Sequence, residues 1–232
     1  MDVEAVIKAL FDDDKDIAQV SPHIEGLGIV KQWLTDAEQT SLLAAIERER
    51  WLATSNQAMC FGSLPDWALS LGEAASQLLH SNGWVQDAEV WGRQPLFNQL
   101  ILNRYDPGEG IPPHLDLARF QDGIAVVSLG GPALMNFTPA QPQDLVTFLE
   151  SEAHASQLPQ QPLPAGPECI QVLLEGGDLL LLHGPARYHW RHGIDAVPRE
   201  VERATGRNVV RSLRVSVTLR KLSGILLTEP AD

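Results

Sequence analysis

The sequence is poor in cysteine and in positive charge, and it contains no long apolar run. Its 232 residues include two cysteines, too few for a disulfide framework or a thiolate zinc site. No stretch approaches the roughly 20 apolar residues of a membrane span, and the acidic start of the chain lacks the pattern of a signal peptide. We therefore expect neither a disulfide-stapled nor a membrane protein, and we expect a reducing compartment, the cytoplasm or the nucleus.

Acidic residues outnumber basic residues by 30 to 17, which gives a formal charge of −13. Such a charge disfavours nonspecific attraction to nucleic acid, which depends on lysine and arginine. The basic residues are unevenly distributed, however, because nearly half of them are arginines between residues 187 and 220. A solvated loop explains the part from Arg199 to Arg211 equally well, so the charge pattern leaves nucleic-acid binding open.

Hydrophobic residues make up 44% of the sequence, enough for a substantial core. Helices are predicted over residues 34–50 and 66–80, and Thr35 followed by Glu38 forms a capping-box pattern at the first of them. From residue 97 onward, short apolar or alternating segments indicate strands separated by turns. Two helices followed by many short strands predict an α+β fold, with a β-sandwich or jelly roll in the second half.

Four segments carry the strand signal, and one long segment interrupts them. Residues 138–169 are rich in Pro, Gln and Ala, and we interpret them as an inserted loop with one helical turn near Leu145–Glu150. The strand segments are residues 97–105, 123–137 (two strands around a Gly-Gly-Pro turn), 176–184 and 211–222.

His114 and Asp116 stand two residues apart in the stretch NRYDPGEGIPPHLD. In a strand, residues i and i+2 face the same side, so an imidazole and a carboxylate can point at one position. Two histidines and one carboxylate suit non-haem Fe(II), whereas structural zinc is closed by four ligands. The third ligand would be His183, His189 or His192, which the residues alone do not separate. The alternative is a turn whose polar side chains are simply hydrogen-bonded.

The segment RVSVTLR places polar side chains on one face of a predicted strand, namely Arg214, Ser216, Thr218 and Arg220. If this face points inward, each buried guanidinium needs an anionic partner, and its planar fork suits a carboxylate. A dicarboxylate cosubstrate would meet both arginines. Ion pairs with the many Asp and Glu residues of the protein are the alternative.

Three motifs, LNRYDPGEGIPPHLD, RYHWRHGI and RVSVTLR, resemble in type and order those of the AlkB family of Fe(II)/2-oxoglutarate-dependent dioxygenases. The motifs look most like the branch that contains the tRNA wobble-uridine hydroxylase, with the oxygenase domain only. The resemblance implies a double-stranded β-helix (jelly roll) core with the N-terminal helices packed on one sheet. It also implies an N-terminal extension (1–27), a dioxygenase domain (28–222, with 138–169 inserted) and a C-terminal tail (223–232).

The resemblance further implies the cofactors Fe(II), 2-oxoglutarate and O₂, and the residues that bind them. The Fe(II) ligands would be His114, Asp116 and His192. Arg214 would pair with the distal carboxylate of 2-oxoglutarate, and Arg220 would lie near its metal end. Ser216 replaces the asparagine usual in the family and keeps a shorter hydrogen-bonding group. The remaining cosubstrate contacts would be Asn103, Tyr105 and Thr218.

The function implied by the resemblance is hydroxylation or oxidative demethylation of a modified base in RNA or DNA, by a monomer with no membrane partner. Phe61 and Trp67 are candidates for stacking on the base, although both are equally explained as core anchors of the helices. The alternative functions are hydroxylation of a protein, lipid or small molecule, and a non-catalytic metal-binding sensor. The basic candidates for substrate contacts are Arg104, Arg187 and Arg191, with Arg203 and Arg207 as further phosphate contacts.

Overall fold

The structure is a computed structural model that describes residues 16–20, 23–84, 90, 92–144 and 169–222. The predicted C-terminal tail, most of the inserted loop and the helical turn at Leu145–Glu150 lie outside the described residues, as do residues 1–15 of the predicted extension. Among the described residues, no helix is long and apolar enough to cross a membrane.

The elements alternate little between classes, because the helices come early and strands dominate the rest. The helices are α1 (Asp36–Glu49), α2 (Asp66–Ser81) and the short α3 (Pro185–Tyr188). The strands are β1 (Ala18–Gln19), β2 (Leu27–Val30), β3 (Gln57–Phe61), β4 (Gln99–Tyr105), β5 (Ile111–His114), β6 (Ile124–Gly130), β7 (Ala133–Pro139), β8 (Ile170–Leu174), β9 (Leu179–Leu182), β10 (Trp190–Ile194), β11 (Arg199–Val201), β12 (Asn208–Val210) and β13 (Arg214–Arg220).

Two antiparallel sheets form the core. The larger has the order β1-β2-β9-β6-β13-β4-β3, and the smaller has the order β5-β10-β7-β8. Strands β11 and β12 pair with each other as a separate hairpin. This arrangement confirms the predicted α+β fold with a jelly-roll core. Strand β7 runs to Pro139, so the first two residues of the predicted insertion belong to a strand.

The first helix begins where the capping box predicts. The Glu38 amide donates to Thr35 Oγ1, and the Thr35 amide donates to the Glu38 carboxylate at 2.6 Å. Both α1 and α2 bury an apolar stripe, including Leu42 of α1 and Leu71 of α2, against the larger sheet. The N-terminal helices therefore cover one face of that sheet, as expected, and its other face is left toward the smaller sheet.

Strand β13 shows how alternation divides these two faces. Val215, Val217 and Leu219 belong to the apolar cluster beneath the helices. A strand turns successive side chains to opposite faces, so the polar residues of β13 point into the space between the sheets. A second apolar cluster closes part of that space, and it includes Phe137 and Trp190.

Candidate active site

A cavity of about 160 Å³ lies between the two sheets. Strands β4, β6 and β13 form one wall, and β5, β7 and β10 form the other. A groove beside α2 is larger, but the only acidic or basic side chain in its lining is Glu73. The cavity between the sheets contains every residue that we expected to bind metal or 2-oxoglutarate: Asn103, Tyr105, His114, Asp116, His192, Arg214, Ser216, Thr218 and Arg220.

The two imidazoles are brought together by strand pairing. His114 ends β5 and lies directly opposite His192 of β10, with the ring centroids 4.5 Å apart. His114 Nδ1 lies 3.0 Å from the Pro112 carbonyl oxygen. A carbonyl can only accept, so Nδ1 carries the proton and Nε2 keeps the free lone pair that a metal ligand needs.

The Asp116 carboxylate is buried beside these rings. Its Oδ2 lies 3.6 Å from His192 Nε2, while Arg220 Nη1 donates to its Oδ1. Burial alone would raise the pKa of Asp116, but Arg220 and the histidines hold that pKa well below its usual range. Burial lowers the pKa of His192 to about 3, so its ring is neutral at pH 7. Both groups thus have the protonation state of metal ligands.

The spacing of these groups is looser than in a closed metal centre. Within the described ranges, no three His, Cys or acidic side chains already stand together as a metal-binding group. Arg220 holds Oδ1 of Asp116, so the oxygen that faces His192 is Oδ2. Two neutral imidazoles and one carboxylate oxygen are nevertheless the donor types that suit non-haem Fe(II).

Arg214 is the most unusual side chain of the cavity. It is 1% exposed, and its Nη2 donates to Ser128 Oγ at 3.0 Å. Its guanidinium also lies 5.5 Å from the centroid of the Tyr105 ring, and its Nε has no hydrogen-bond partner. Burial lowers the pKa of Arg214 to about 10. No acidic side chain among the described residues forms an ion pair with it, whereas Arg220 pairs with Asp116.

The remaining cosubstrate candidates lie along the same wall. Asn103 Oδ1 accepts a hydrogen bond from Gln57 Nε2 at 2.7 Å, which leaves the amide nitrogen of Asn103 to donate elsewhere. Ser216 is buried directly opposite Asn103 in the β13–β4 pair, and Thr218 follows on the same face. The wall therefore offers a row of donors that ends at the Arg214 guanidinium.

The aromatic candidates for substrate contacts occupy different places. Phe61 is 47% exposed on the edge strand β3. It lies opposite Gln99, while Met59 of the same strand lies opposite Ile101 of the cavity wall, so both side chains extend the cavity face to the edge of the sheet. Trp67 is 6% exposed and packs in the core beneath α2, which agrees with the alternative of a core anchor.

The basic candidates are also separated. Arg187 is 2% exposed and donates to backbone carbonyls, so it does not occupy the exposed position that a phosphate contact requires. Arg191 lies next to His192, on the opposite face of β10, with its Nε 3.4 Å from Asp144. Arg104 pairs with Asp106 at 3.2 Å and lines a depression beside the cavity.

The structure also resolves the three-way choice among the late histidines. His189 is buried but does not line the cavity, and burial lowers its pKa. His183 meets the edge of the Trp84 ring at a centroid distance of 5.3 Å. Only His192, among these three residues, lies beside His114 and Asp116.

Two supporting residues were not anticipated from the sequence. Gln99 is fully buried, and its Oε1 accepts from Arg220 Nε at 2.8 Å. Ser128 is fully buried and accepts from Arg214. Each is a polar residue in an otherwise apolar strand, at the position that faces the arginine, and this pattern was available in the sequence.

The comparisons with known proteins agree with this geometry. Residues 32–220 match the family model of the 2OG-Fe(II) oxygenase superfamily. An Arabidopsis thaliana protein, "Alkylated DNA repair protein ALKBH8 homolog", is 30% identical over 219 residues, which cover 86% of this chain and 59% of that protein. A zebrafish (Danio rerio) protein, "Probable RNA/DNA demethylase ALKBH6", is 24% identical, with 94% of each chain covered.

The same fold occurs in a solved structure. The chain titled "The structure of OsALKBH1" superposes with a TM-score of 0.55 at 14% identity, covering 88% of this chain and 99% of that one. The present chain spans little more than half the length of the Arabidopsis relative. The matched family model covers both sheets and the whole cavity, so the chain belongs to the 2OG-Fe(II) oxygenase superfamily, as an AlkB-type dioxygenase that uses Fe(II), 2-oxoglutarate and O₂.

Proposed function

We propose that His114, Asp116 and His192 are the Fe(II) ligands of this dioxygenase. Support comes from the donor set: the proton of His114 is fixed on Nδ1, His192 is neutral at pH 7, and Asp116 is ionised. The three groups would close on the ion from neighbouring positions, with Asp116 using Oδ2. Three protein ligands leave positions for the cosubstrate and O₂.

The observation that carries the cosubstrate site is the buried Arg214 guanidinium without an acidic partner among the described residues. Leaving a buried charge unpaired costs several kcal/mol, so the position favours an anionic ligand. The distal carboxylate of 2-oxoglutarate would bind there, with Tyr105 and the amide of Asn103 beside it. Ser216 and Thr218 would line the molecule, and Arg220 would lie near its metal end.

Bound Fe(II) supplies the coupling of 2-oxoglutarate decarboxylation to substrate oxidation, in which one O₂ gives a hydroxylated substrate, succinate and CO₂. The side chains of the protein orient the reactants and exclude water. Arg214 and Arg220 hold the two ends of the cosubstrate in one orientation. The apolar residues Val126 and Met135 keep the remaining wall dry.

We further propose that the substrate is a modified base in RNA or DNA. Two relatives carry names that refer to DNA repair or to RNA/DNA demethylation. The exposed Met59 and Phe61 extend the cavity face, and an exposed aromatic ring can stack on a displaced base. A hydroxylated N-methyl group would be lost as formaldehyde, whereas a hydroxyl on an ordinary ring or side-chain carbon would remain.

The substrate proposal is tested with a panel of methylated DNA and RNA oligonucleotides, single- and double-stranded, with products detected by mass spectrometry. Unmethylated oligonucleotides of the same sequence and the Asp116→Ala protein are the controls. A mass loss of one methyl group, or a gain of one oxygen, in the modified oligonucleotide alone is the expected result. If succinate forms with none of the oligonucleotides, the substrate is of another class, such as a protein, lipid or small molecule; if it never forms, the sensor alternative gains support.

Binding measurements separate nucleic acid from the other substrate classes. Neutralising Z phosphates gives a slope of about −0.9Z for duplex DNA, or about −0.7Z for single strands, in a plot of log affinity against log salt. We therefore expect a clear salt slope despite the net charge of −13. A flat dependence would contradict a nucleic-acid substrate.

We propose the cytoplasm or the nucleus as the compartment, because a reducing medium keeps iron as Fe(II). Cys60 and Cys169 are both free thiols in the structure, which agrees with such a medium. We also propose that residues 28–222 act as one dioxygenase domain in a monomer. Gel filtration with light scattering tests the monomer.

A further inference from the structure

Arg187 is a buried arginine next to the cavity that has no role in the proposed reaction. Its guanidinium donates only to backbone oxygens among the contacts described: Nη1 to Asp116 at 2.9 Å, and Nη2 to Leu117 at 2.8 Å and to Phe120 at 3.4 Å. It also lies 4.9 Å from the centroid of the Tyr188 ring. The side chain is 2% exposed, so water does not replace these bonds easily.

The three carbonyls belong to the segment that holds the proposed carboxylate ligand. Strand β5 ends at His114, and residues 115–117 have no regular secondary structure. Sheet hydrogen bonds therefore do not fix the backbone of Asp116. Arg187 supplies donors to this segment instead, since buried carbonyls require partners.

Arg187 itself sits on the segment that leads to the distal histidine. It lies in α3, and β10 with His192 begins two residues after that helix ends. Its bond to Phe120 also reaches the ring that packs against Arg220, at 4.1 Å between the Arg220 guanidinium carbon and the ring centroid. One guanidinium thus joins the two segments that carry Asp116 and His192.

We infer that Arg187 is a positioning residue that fixes the backbone of Asp116 relative to the α3–β10 segment and so sets the spacing between the carboxylate and His192. This inference rests on the proposed metal site. A fork with two terminal nitrogens can reach carbonyls one and four residues apart at the same time, which a single ammonium cannot do. Partners that orient metal ligands typically change metal affinity by about 10–100-fold when they are removed.

The test is a Co(II) titration of the full chain, followed by visible absorption, in the wild type, Arg187→Met, Arg187→Lys and Arg191→Met. Arg191→Met is the matched control, because Arg191 lies four residues further on and faces away from His192. The amplitude of the titration reports the folded fraction, and its midpoint reports the affinity. Partial unfolding therefore lowers the amplitude without moving the midpoint.

We expect the midpoint to rise by about 10–100-fold in Arg187→Met, to rise less in Arg187→Lys, and to stay unchanged in Arg191→Met. The shape of the Co(II) spectrum should change in Arg187→Met, because the carboxylate moves relative to the imidazoles. If Arg187→Met yields no folded protein, the midpoint of Arg187→Lys decides in the same way. Midpoints equal to that of the wild type in the folded Arg187 variants overturn the inference.

The failure of the proposed metal site gives a different result. In that case the wild type binds no Co(II) saturably, or Asp116→Ala binds it as well as the wild type does. A wild type that binds Co(II) through Asp116, together with unaffected Arg187 variants, contradicts only the positioning role.

Discussion

The substitution Arg214→Met separates a cosubstrate-binding arginine from a structural one. Methionine keeps an unbranched side chain in the cavity but removes the charge. The guanidinium is 1% exposed and forms no ion pair with an acidic side chain among the described residues. We therefore expect the variant to remain folded while it loses affinity for 2-oxoglutarate.

The magnitudes follow from the surroundings of Arg214. Burial lowers its pKa from 12.5 to about 10, which corresponds to a desolvation cost on the order of 3 kcal/mol. Methionine removes this cost and leaves the Ser128 hydroxyl without its donor, at about 1 kcal/mol. The free energy of unfolding should thus be unchanged or higher by up to about 2 kcal/mol.

The loss of cosubstrate affinity should be large. Each hydrogen bond between a guanidinium and a carboxylate contributes about 1.5–3 kcal/mol, so the loss of two bonds weakens binding by at least about 100-fold. In Arg214→Lys one such bond remains, and we expect a loss of about 10- to 100-fold.

Arg211→Met is the matched control, three residues away in sequence. Arg211 is also buried, but its Nη1 lies 3.1 Å from Glu200 Oε1. Its removal leaves a buried carboxylate unpaired, and we expect destabilisation by about 3–5 kcal/mol. The assay is urea unfolding with Co(II), with and without 2-oxoglutarate, which should stabilise the wild type by about 2.7 kcal/mol at 100 times its Kd.

Two outcomes would refute this reasoning. One is that Arg214→Met is destabilised as strongly as Arg211→Met, which would mean that the Arg214 charge stabilises the fold by itself. The other is that 2-oxoglutarate still stabilises Arg214→Met against urea by the wild-type amount.

Three further predictions concern other parts of the site. Asp116→Ala should produce no succinate in a coupled assay, and undiminished turnover would eliminate this ligand. Phe61→Ala should weaken oligonucleotide binding in a gel-shift assay with little change in unfolding free energy, whereas Trp67→Ala should cost about 3–5 kcal/mol in urea unfolding because it opens a core cavity; the reverse pattern would contradict the stacking role. Gln99→Leu leaves the buried Nε of Arg220 without its acceptor, so urea unfolding should show a loss of about 1–3 kcal/mol, and equal stability would contradict it.

Local sequence signals predicted the main elements well. The capping box at Thr35 places the start of α1, because the side-chain hydrogen bonds that define it involve residues only three apart. Alternation in RVSVTLR correctly divides β13 into a helix-facing and a cavity-facing side. Such signals are short-range, so one chain segment is enough to contain them.

Pairings between distant segments were not accessible in the same way. The residues alone left three late histidines as alternatives, and the β5–β10 register, which joins segments nearly 80 residues apart, is what places His192 beside His114. The burial of Arg187 was not foreseen either, because its acceptors are backbone carbonyls, which every residue carries.

Arg214 and Arg220 show where charge pattern alone is insufficient. Both point into the cavity, as alternation predicts, but one pairs with Asp116 and the other with no described acidic side chain. The two explanations considered for this strand, ion pairs within the protein and a cosubstrate carboxylate, thus apply to different residues. Only the three-dimensional arrangement distinguishes them.

The most direct test of the site is anaerobic addition of Fe(II) and then 2-oxoglutarate to the folded protein, followed by visible absorption. We predict a weak charge-transfer band that saturates at one iron per chain in the wild type and is absent in Asp116→Ala. A folded wild-type protein that shows no such band, or a band of equal strength in Asp116→Ala, would contradict the assignment of iron and cosubstrate to this cavity.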